Sequence, residues 1–306
     1  MPIAINRRPR RWSRMQRREA LIGLAFITPV ILGFLVFNIG PIVASLILSF
    51  TDYNILSRSP KWIGLANYYK AFSEPLFYKS LGNTLYYTIF RIPLSVILAF
   101  VLATMVKKTS VVSIAYRTAI YIPSIVPSVA AAVVWLVILN PQAGLLNRLL
   151  ELVGLQGPGW LTSPTWAKPA IILMNLWQIG GSFVIFLAGL QEIPTEYYEA
   201  AKVDGASTWD TFWRITVPLM TPTILFNGVI ESIYAFQVFE AAFITTGGGP
   251  LRATYFMALY IYDNAFKFLQ MGFASAIAWL MFVLILAFTI GVLRTSRHWV
   301  YYGGER

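Results

Sequence analysis

Three ionisable residues stand inside strongly apolar stretches of this chain: Arg91, Glu231 and Glu240. A charge at hydrocarbon depth is costly, so such residues mark a solute path, a relay for ions or a buried ion pair. For Arg91 the expectation is structural, either pairing with a buried acid or reaching to an interface. For Glu231 and Glu240 a functional role and a packing role carry similar weight. Asn227, Glu231, Tyr234 and Gln237 recur every three to four residues and so share one helical face. Phe239 and Glu240 follow, leading to Thr246-Gly247-Gly248-Gly249-Pro250, while Asn175, Trp177 and Gln178 precede Gly180-Gly181. Amides and carboxylates beside aromatic rings suit a ring-shaped, hydroxyl-rich solute. Each hydrogen bond would contribute only about 1 kcal/mol net, weak enough for release. The same polar face would also suit packing against a partner protein.

Other chemistries are absent. No Gly-x-x-x-x-Gly-Lys-Ser/Thr sequence occurs, so the chain has no phosphate-cradling loop and is not itself an ATPase. Its single histidine, His298, lies in a basic tail, no cluster has metal-ligand spacing, and no Gly-x-Ser-x-Gly elbow is present. Cysteine is missing, which excludes disulfides and thiolate sites. The chain is expected to be a non-enzyme that binds no cofactor or metal. An ion-coupled secondary transporter is the rival class. Against it, no pair of Gly/Pro-broken spans is evident in matching positions of two halves.

Hydrophobic residues make up 57% of the chain against 12% charged, which places it among integral membrane proteins rather than soluble domains. Six runs are long enough to cross a bilayer: 21–50, 81–105, 118–139, 167–190, 221–244 and 272–293. The expected organisation is a basic tail (1–20), a first span (21–50), an external loop (51–80), a five-helix core (81–293) and a C-terminal tail (294–306). Pro29 and Pro41 are the expected kink points of the first span. Its length and the lack of a cleavage site favour an uncleaved anchor over a signal peptide.

Lysine and arginine set the orientation. Arg7, Arg8, Arg10, Arg11, Arg14, Arg17 and Arg18 precede the first span, Lys107, Lys108 and Arg117 separate spans two and three, and Arg294, Arg297 and Arg306 end the chain. Both termini are therefore expected in the cytoplasm of a bacterial-type plasma membrane. The net charge of +11 follows from topology and contact with anionic lipid, so nucleic acid is not an expected partner.

Between spans four and five lies a polar loop, 191–219, containing Glu199-Ala200-Ala201-Lys202-Val203-Asp204-Gly205 and, nine residues later, Ile215-Thr216-Val217-Pro218. Pro194 and Thr195 predict a helix start, and Gly205 a left-handed stop. Ser207 and Asp210 have capping-box spacing for a second helix, expected to end at Pro218. Ala200, Ala201 and Ala206 would leave a flat surface for another backbone. The loop is acidic, as a basic docking cleft would favour.

This pattern resembles the EAA loop of the permease subunits of binding-protein-dependent ABC importers, departing from it only in Val217 for a leucine. Gly64-Leu65-Ala66-Asn67-Tyr68, Asn83-Thr84-Leu85-Tyr86-Tyr87-Thr88, Leu187-Ala188-Gly189-Leu190-Gln191 and the Gly-Gly-Pro loop resemble carbohydrate-uptake permeases, of the first of two paired permeases above all. The resemblance implies an all-α integral membrane protein of six transmembrane helices, with the type I importer permease (MetI-like) fold and cytoplasmic coupling helices. It assigns docking on a separate ATPase to Glu199, Ala200, Ala201, Asp204, Gly205, Ile215 and Pro218. It further implies a second permease, two ATPase subunits carrying ATP and Mg, and an extracytoplasmic solute-binding protein. On this basis Gln237 and Phe239 match cavity positions, with Asn175, Gln178, Glu231, Tyr234 and Glu240 as further candidates for the substrate path. A permease for another solute class of the same superfamily is the nearer alternative.

Overall fold

The computed structural model describes residues 13–56, 59–108 and 110–301. Arg7, Arg8, Arg10 and Arg11 of the basic tail, and Arg306, lie outside them. Among the described residues the chain is helical, with one isolated β-bridge between Thr51 and Trp62.

Ser13 caps α1 (Arg14–Phe34) through the amide of Gln16. A π turn (Leu35–Ile39) joins it to α2 (Gly40–Ser49), giving an unbroken 36-residue helix. Pro29 is carried inside regular helix, and the irregular turn comes just before Pro41, where the ring cannot supply an N–H. This helix buries nothing until Ser49, as expected of a lipid-facing surface. A short α3 (Ala66–Ser73) is pinned by Asn67, whose Nδ2 donates to the carbonyls of Ser49 and Thr51.

The second span, α4 (Pro75–Met105), starts earlier than hydropathy suggests because Pro75 opens it at N1. It is the backbone of the molecule. At one end Asn83 Nδ2 donates to the carbonyls of Arg252 and Tyr255, and Thr84 Oγ1 accepts the Met257 amide at 2.9 Å. Its other end is closed by Arg117, which donates to the carbonyls of Val106 and Lys107.

Spans three and four are not straight rods. Val126 and Pro127 interrupt span three, so that α5 (Val111–Ile125) and α6 (Ser128–Ile138) meet at 103°. Pro127 cannot continue the ladder, and the residue before a proline is pushed to extended backbone, as Val126 is at φ −68, ψ 126. A short α7 (Leu145–Leu152) follows. Span four bends by 48° between α8 (Ala167–Leu176) and α9 (Gly180–Glu192). The two breaks fall in consecutive spans, beside Pro127 and Gly180.

The polar loop forms α10 (Thr195–Val203) and a single turn, α11 (Thr208–Thr211). A π turn (Phe212–Thr216) then leads into α12 (Val217–Phe236). Pro218 therefore does not end the second helix of the loop. The Val217 amide reaches back to the Phe212 carbonyl, and this wider turn lets the helix pass a proline. Span five breaks at Gln237–Phe239 before α13 (Glu240–Thr245). The chain then makes α14 (Met257–Tyr262) and a π turn (Asp263–Lys267), and ends its last span as α15 (Met271–Ser296). Burial and then the hydrogen bond to Glu74 push the Tyr260 hydroxyl up, and burial and then Asp263 do the same for Tyr255. Both phenols stay protonated donors that fasten this segment down.

Candidate substrate cavity and coupling loop

Three interruptions meet at one place. A cavity of about 730 Å³ is lined by Ser124, Val126 and Ser128 from the break in span three, by Gln178 from that in span four, and by Gln237, Val238 and Phe239 from that in span five. Broken helices leave backbone groups free to be satisfied by side chains or by a solute, which makes such a point suited to binding. Arg91 and Tyr87 from α4, Trp135 from α6, and Glu231, Tyr234 and Glu240 complete much of the wall.

All seven residues expected on the substrate path line this cavity: Asn175, Gln178, Glu231, Tyr234, Gln237, Phe239 and Glu240. Their chemical availability differs. Tyr234, Gln237 and Glu240 are exposed, and Gln237 and Glu240 have no side-chain hydrogen bond among the described residues. Phe239 stacks on Phe243 at 5.1 Å and presents an aromatic wall. Asn175 donates to the Ile171 carbonyl of its own helix. Gln178 Nε2 donates to the carbonyls of Pro123 and Val126, at 3.3 and 3.0 Å, and so satisfies the broken end of α5. Asn227, expected on the same polar stripe, is fully buried outside the cavity lining, with Nδ2 on the Thr223 carbonyl.

Arg91 takes the first of its two expected roles. Its guanidinium pairs with Glu231 and also donates to the Glu231 carbonyl, at 3.2 Å. The Ser182 hydroxyl donates to the other carboxylate oxygen at 2.5 Å. The two charged side chains are 11% and 7% exposed, so removing one partner would strand a charge at a cost of about 3–5 kcal/mol. Ser182 carried no sequence signal, being a lone serine in an apolar span. Arg91 and Glu231, 140 residues apart, could not be paired from spacing.

The loop 191–219 is built from local rules and then clamped. Gly205 has φ +74, and the Ala206 amide returns to the Ala201 carbonyl, closing α10. Ser207 caps the next turn through the Asp210 amide at 3.1 Å. Glu199, Ala200, Asp204, Gly205 and Ala206 are exposed, whereas Ala201 is buried. The flat outer surface is thus Ala200 and Ala206, because Ala201 faces the protein. Ile215 and Pro218 are half-buried where the loop enters span five. Tyr198 holds the seat: its hydroxyl is 3.1 Å from Thr216 Oγ1, and Lys107 Nζ sits 4.0 Å from its ring centroid. Phe212 stacks on Phe100 of α4 at 5.8 Å, and Phe100 packs against Phe186 of α9 at 5.3 Å. Among the described residues no group of three His, Cys, Asp or Glu could hold a metal ion.

Residues 91–298 match the family model described as "Binding-protein-dependent transport system inner membrane component". The chain is 43% identical over 295 residues to a probable ABC transporter permease protein, YesP, of Bacillus subtilis, covering 95% of each chain. It is 33% identical to the trehalose/maltose transport system permease protein MalF of Thermococcus litoralis, covering 93% of this chain and 97% of that one. Among solved structures, a chain of the bacterial alginate ABC transporter in complex with alginate pentasaccharide-bound periplasmic protein superposes with a TM-score of 0.81 at 26% identity. That match covers 96% of this chain and all of that one. The chain belongs to the binding-protein-dependent transport system inner membrane components, and is an ABC transporter permease subunit rather than an enzyme.

Proposed function

We propose that this permease forms half of the translocation path for a sugar or oligosaccharide in an ATP-driven importer, and that the Glu199–Gly205 loop docks on a separate ATPase. The observation that carries the reading is the cavity at the three helix breaks. Its free amide, carboxylate and phenol groups at Gln237, Glu240 and Tyr234 can take hydroxyls, and Phe239 can take the C–H face of a ring. A relative whose name specifies trehalose/maltose transport, and an alginate transporter of the same fold, support the solute class.

The partners in this reading are a second permease completing the path, two ATPase subunits holding ATP and Mg, an extracytoplasmic solute-binding protein, and membrane lipid. The arginine-rich ends favour a bacterial-type inner membrane location with both termini in the cytoplasm. Nucleotide-driven closure of the ATPases would draw on Glu199, Ala200, Asp204, Gly205, Ile215 and Pro218. That movement is delivered directly to the cavity, because the helix from Thr208 runs through α12 to the break at Gln237. A ligand shifts such an equilibrium only by its difference in affinity for the two states.

The test is uptake of radiolabelled maltotriose and of an alginate pentasaccharide into proteoliposomes holding the whole complex. Uptake of either sugar that needs internal ATP and ignores ionophores is expected. Uptake that persists without the ATPase, or collapses with an ionophore, would overturn the reading.

A further inference from the structure

Arg91, Glu231 and Ser182 line the same cavity as the free polar groups, yet they are spent on one another. One carboxylate oxygen of Glu231 is taken by Arg91 and the other by Ser182, while Arg91 also holds the Glu231 carbonyl. Each residue belongs to a different helix: Arg91 to α4, Ser182 to α9 and Glu231 to α12.

The same three helices are joined again near the coupling loop. Phe100 of α4 touches both Phe186 of α9 and Phe212, which leads into α12, and Lys107 beyond α4 covers Tyr198. Two attachments, separated by 9 residues of α4 from Arg91 to Phe100, remove the freedom of these helices to slide or roll independently. The remaining wall is different. α6 and α13 stand beyond the interruptions at Val126–Pro127 and Gln237–Phe239 and pack together through Ala132 and Ala242, in an apolar cluster that meets α4 at Tyr87 and α12 at Ala235.

We propose that Arg91, Glu231 and Ser182 are positioning residues, locking α4, α9 and α12 into one body that moves against α6 and α13 across the helix breaks. This rests on the importer reading. The solute meets Gln237, Phe239 and Glu240, and the ion pair carries the stroke of the coupling loop to the cavity without touching the cargo. A buried pair suits this use because separating the two charges leaves each buried without its partner.

The chain has no cysteine, so one can be introduced as a reporter. Ser128→Cys places a thiol on the α6 side of the cavity. In the assembled complex in nanodiscs, its labelling by fluorescein maleimide should differ at least tenfold between the nucleotide-free state and the state trapped with MgATP and vanadate. Arg91→Met or Glu231→Gln should cut that difference to under twofold while ATP hydrolysis continues. The exchange Arg91→Glu with Glu231→Arg should restore at least half of it. Ser182→Ala, which uncovers no charge, should reduce it to about threefold and serves if the single charge variants fail to assemble. An unchanged tenfold response in these variants overturns the lock, as does an exchange variant that assembles but responds no better than the singles. Absence of ATP hydrolysis in the complex with the unaltered pair would instead overturn the importer reading.

Discussion

The Tyr198 hydroxyl stands 3.1 Å from Thr216 Oγ1, so the first helix of the coupling loop is bonded to the π turn from which span five springs. Tyr198 also lies under Lys107 at the end of span two, so the loop is tied to both spans. Tyr198→Phe gives up the hydrogen bond, worth about 1 kcal/mol, and keeps the ring. Uptake within about threefold of the unaltered complex is expected. Tyr198→Ala removes both contacts and should leave ATP hydrolysis running with uptake reduced at least tenfold, measured on the same proteoliposomes. Equal uptake by the two variants would show that the ring carries no force.

Gly205 offers a cleaner test of local backbone chemistry. A Cβ there would meet no atom within 4 Å, so any defect comes from its φ of +74 and not from crowding. Gly205→Asn should retain most transport, since asparagine tolerates the left-handed region. Gly205→Val should cost about 1–2 kcal/mol in the loop and abolish uptake while membrane insertion persists. Uptake by the valine variant comparable to that of the asparagine variant would remove the turn from the docking argument.

The exposed carboxylate of Glu199 is expected to face a basic cleft. Glu199→Lys should weaken association with the ATPase, read as its loss from the complex on size exclusion, with a steeper effect at low ionic strength. Retention of the ATPase at all salt concentrations would count against a charged docking contact.

Gln178 faces the cavity but holds the carbonyls of Pro123 and Val126. Gln178→Leu strands the Val126 carbonyl, at about 1–3 kcal/mol, while the Pro123 carbonyl keeps the Val126 amide, and should lower the thermal midpoint of the complex by a few degrees. Gln237→Leu breaks no side-chain hydrogen bond among the described residues and should weaken uptake of sugar with the midpoint unchanged. The reverse pattern would exchange their roles.

Gly180 and Gly181 are adjacent yet unequal. A Cβ on Gly180 would come within 2.5 Å of Ser124 Oγ and 3.1 Å of Tyr121 Cα, whereas one on Gly181 meets nothing within 4 Å. Gly180→Val should prevent assembly, as judged by recovery of the complex from membranes, and Gly181→Ala should be silent. Full recovery of the Gly180 variant would mean that α5 can retreat from α9.

Local chemistry explains what was legible beforehand. The apolar runs had to be spans because nothing else tolerates so little charge. The coupling loop could be read in detail because Pro194, Gly205 and Ser207 act within a few residues of themselves. Pro218 was misread because a proline ends a regular helix, while the π turn before it depends on how Phe212 and Thr216 are held by α4 and α10.

The breaks show the same division. Pro127 and Gly180 were visible as residues, but that the breaks beside them open on one cavity with Gln237, through Val126, Ser128, Gln178 and Gly181, follows only from how the spans assemble. Periodicity placed Asn227 with Glu231 on one helical face, yet packing buried the first and gave the second to Arg91. Sequence by itself determined the membrane class, the spans and the turn chemistry of the coupling loop, since these depend on hydration and on neighbours in the chain. Tertiary structure alone decided which polar groups are satisfied by distant partners and which remain free to meet a solute, because a hydrogen bond is decided by distance in space.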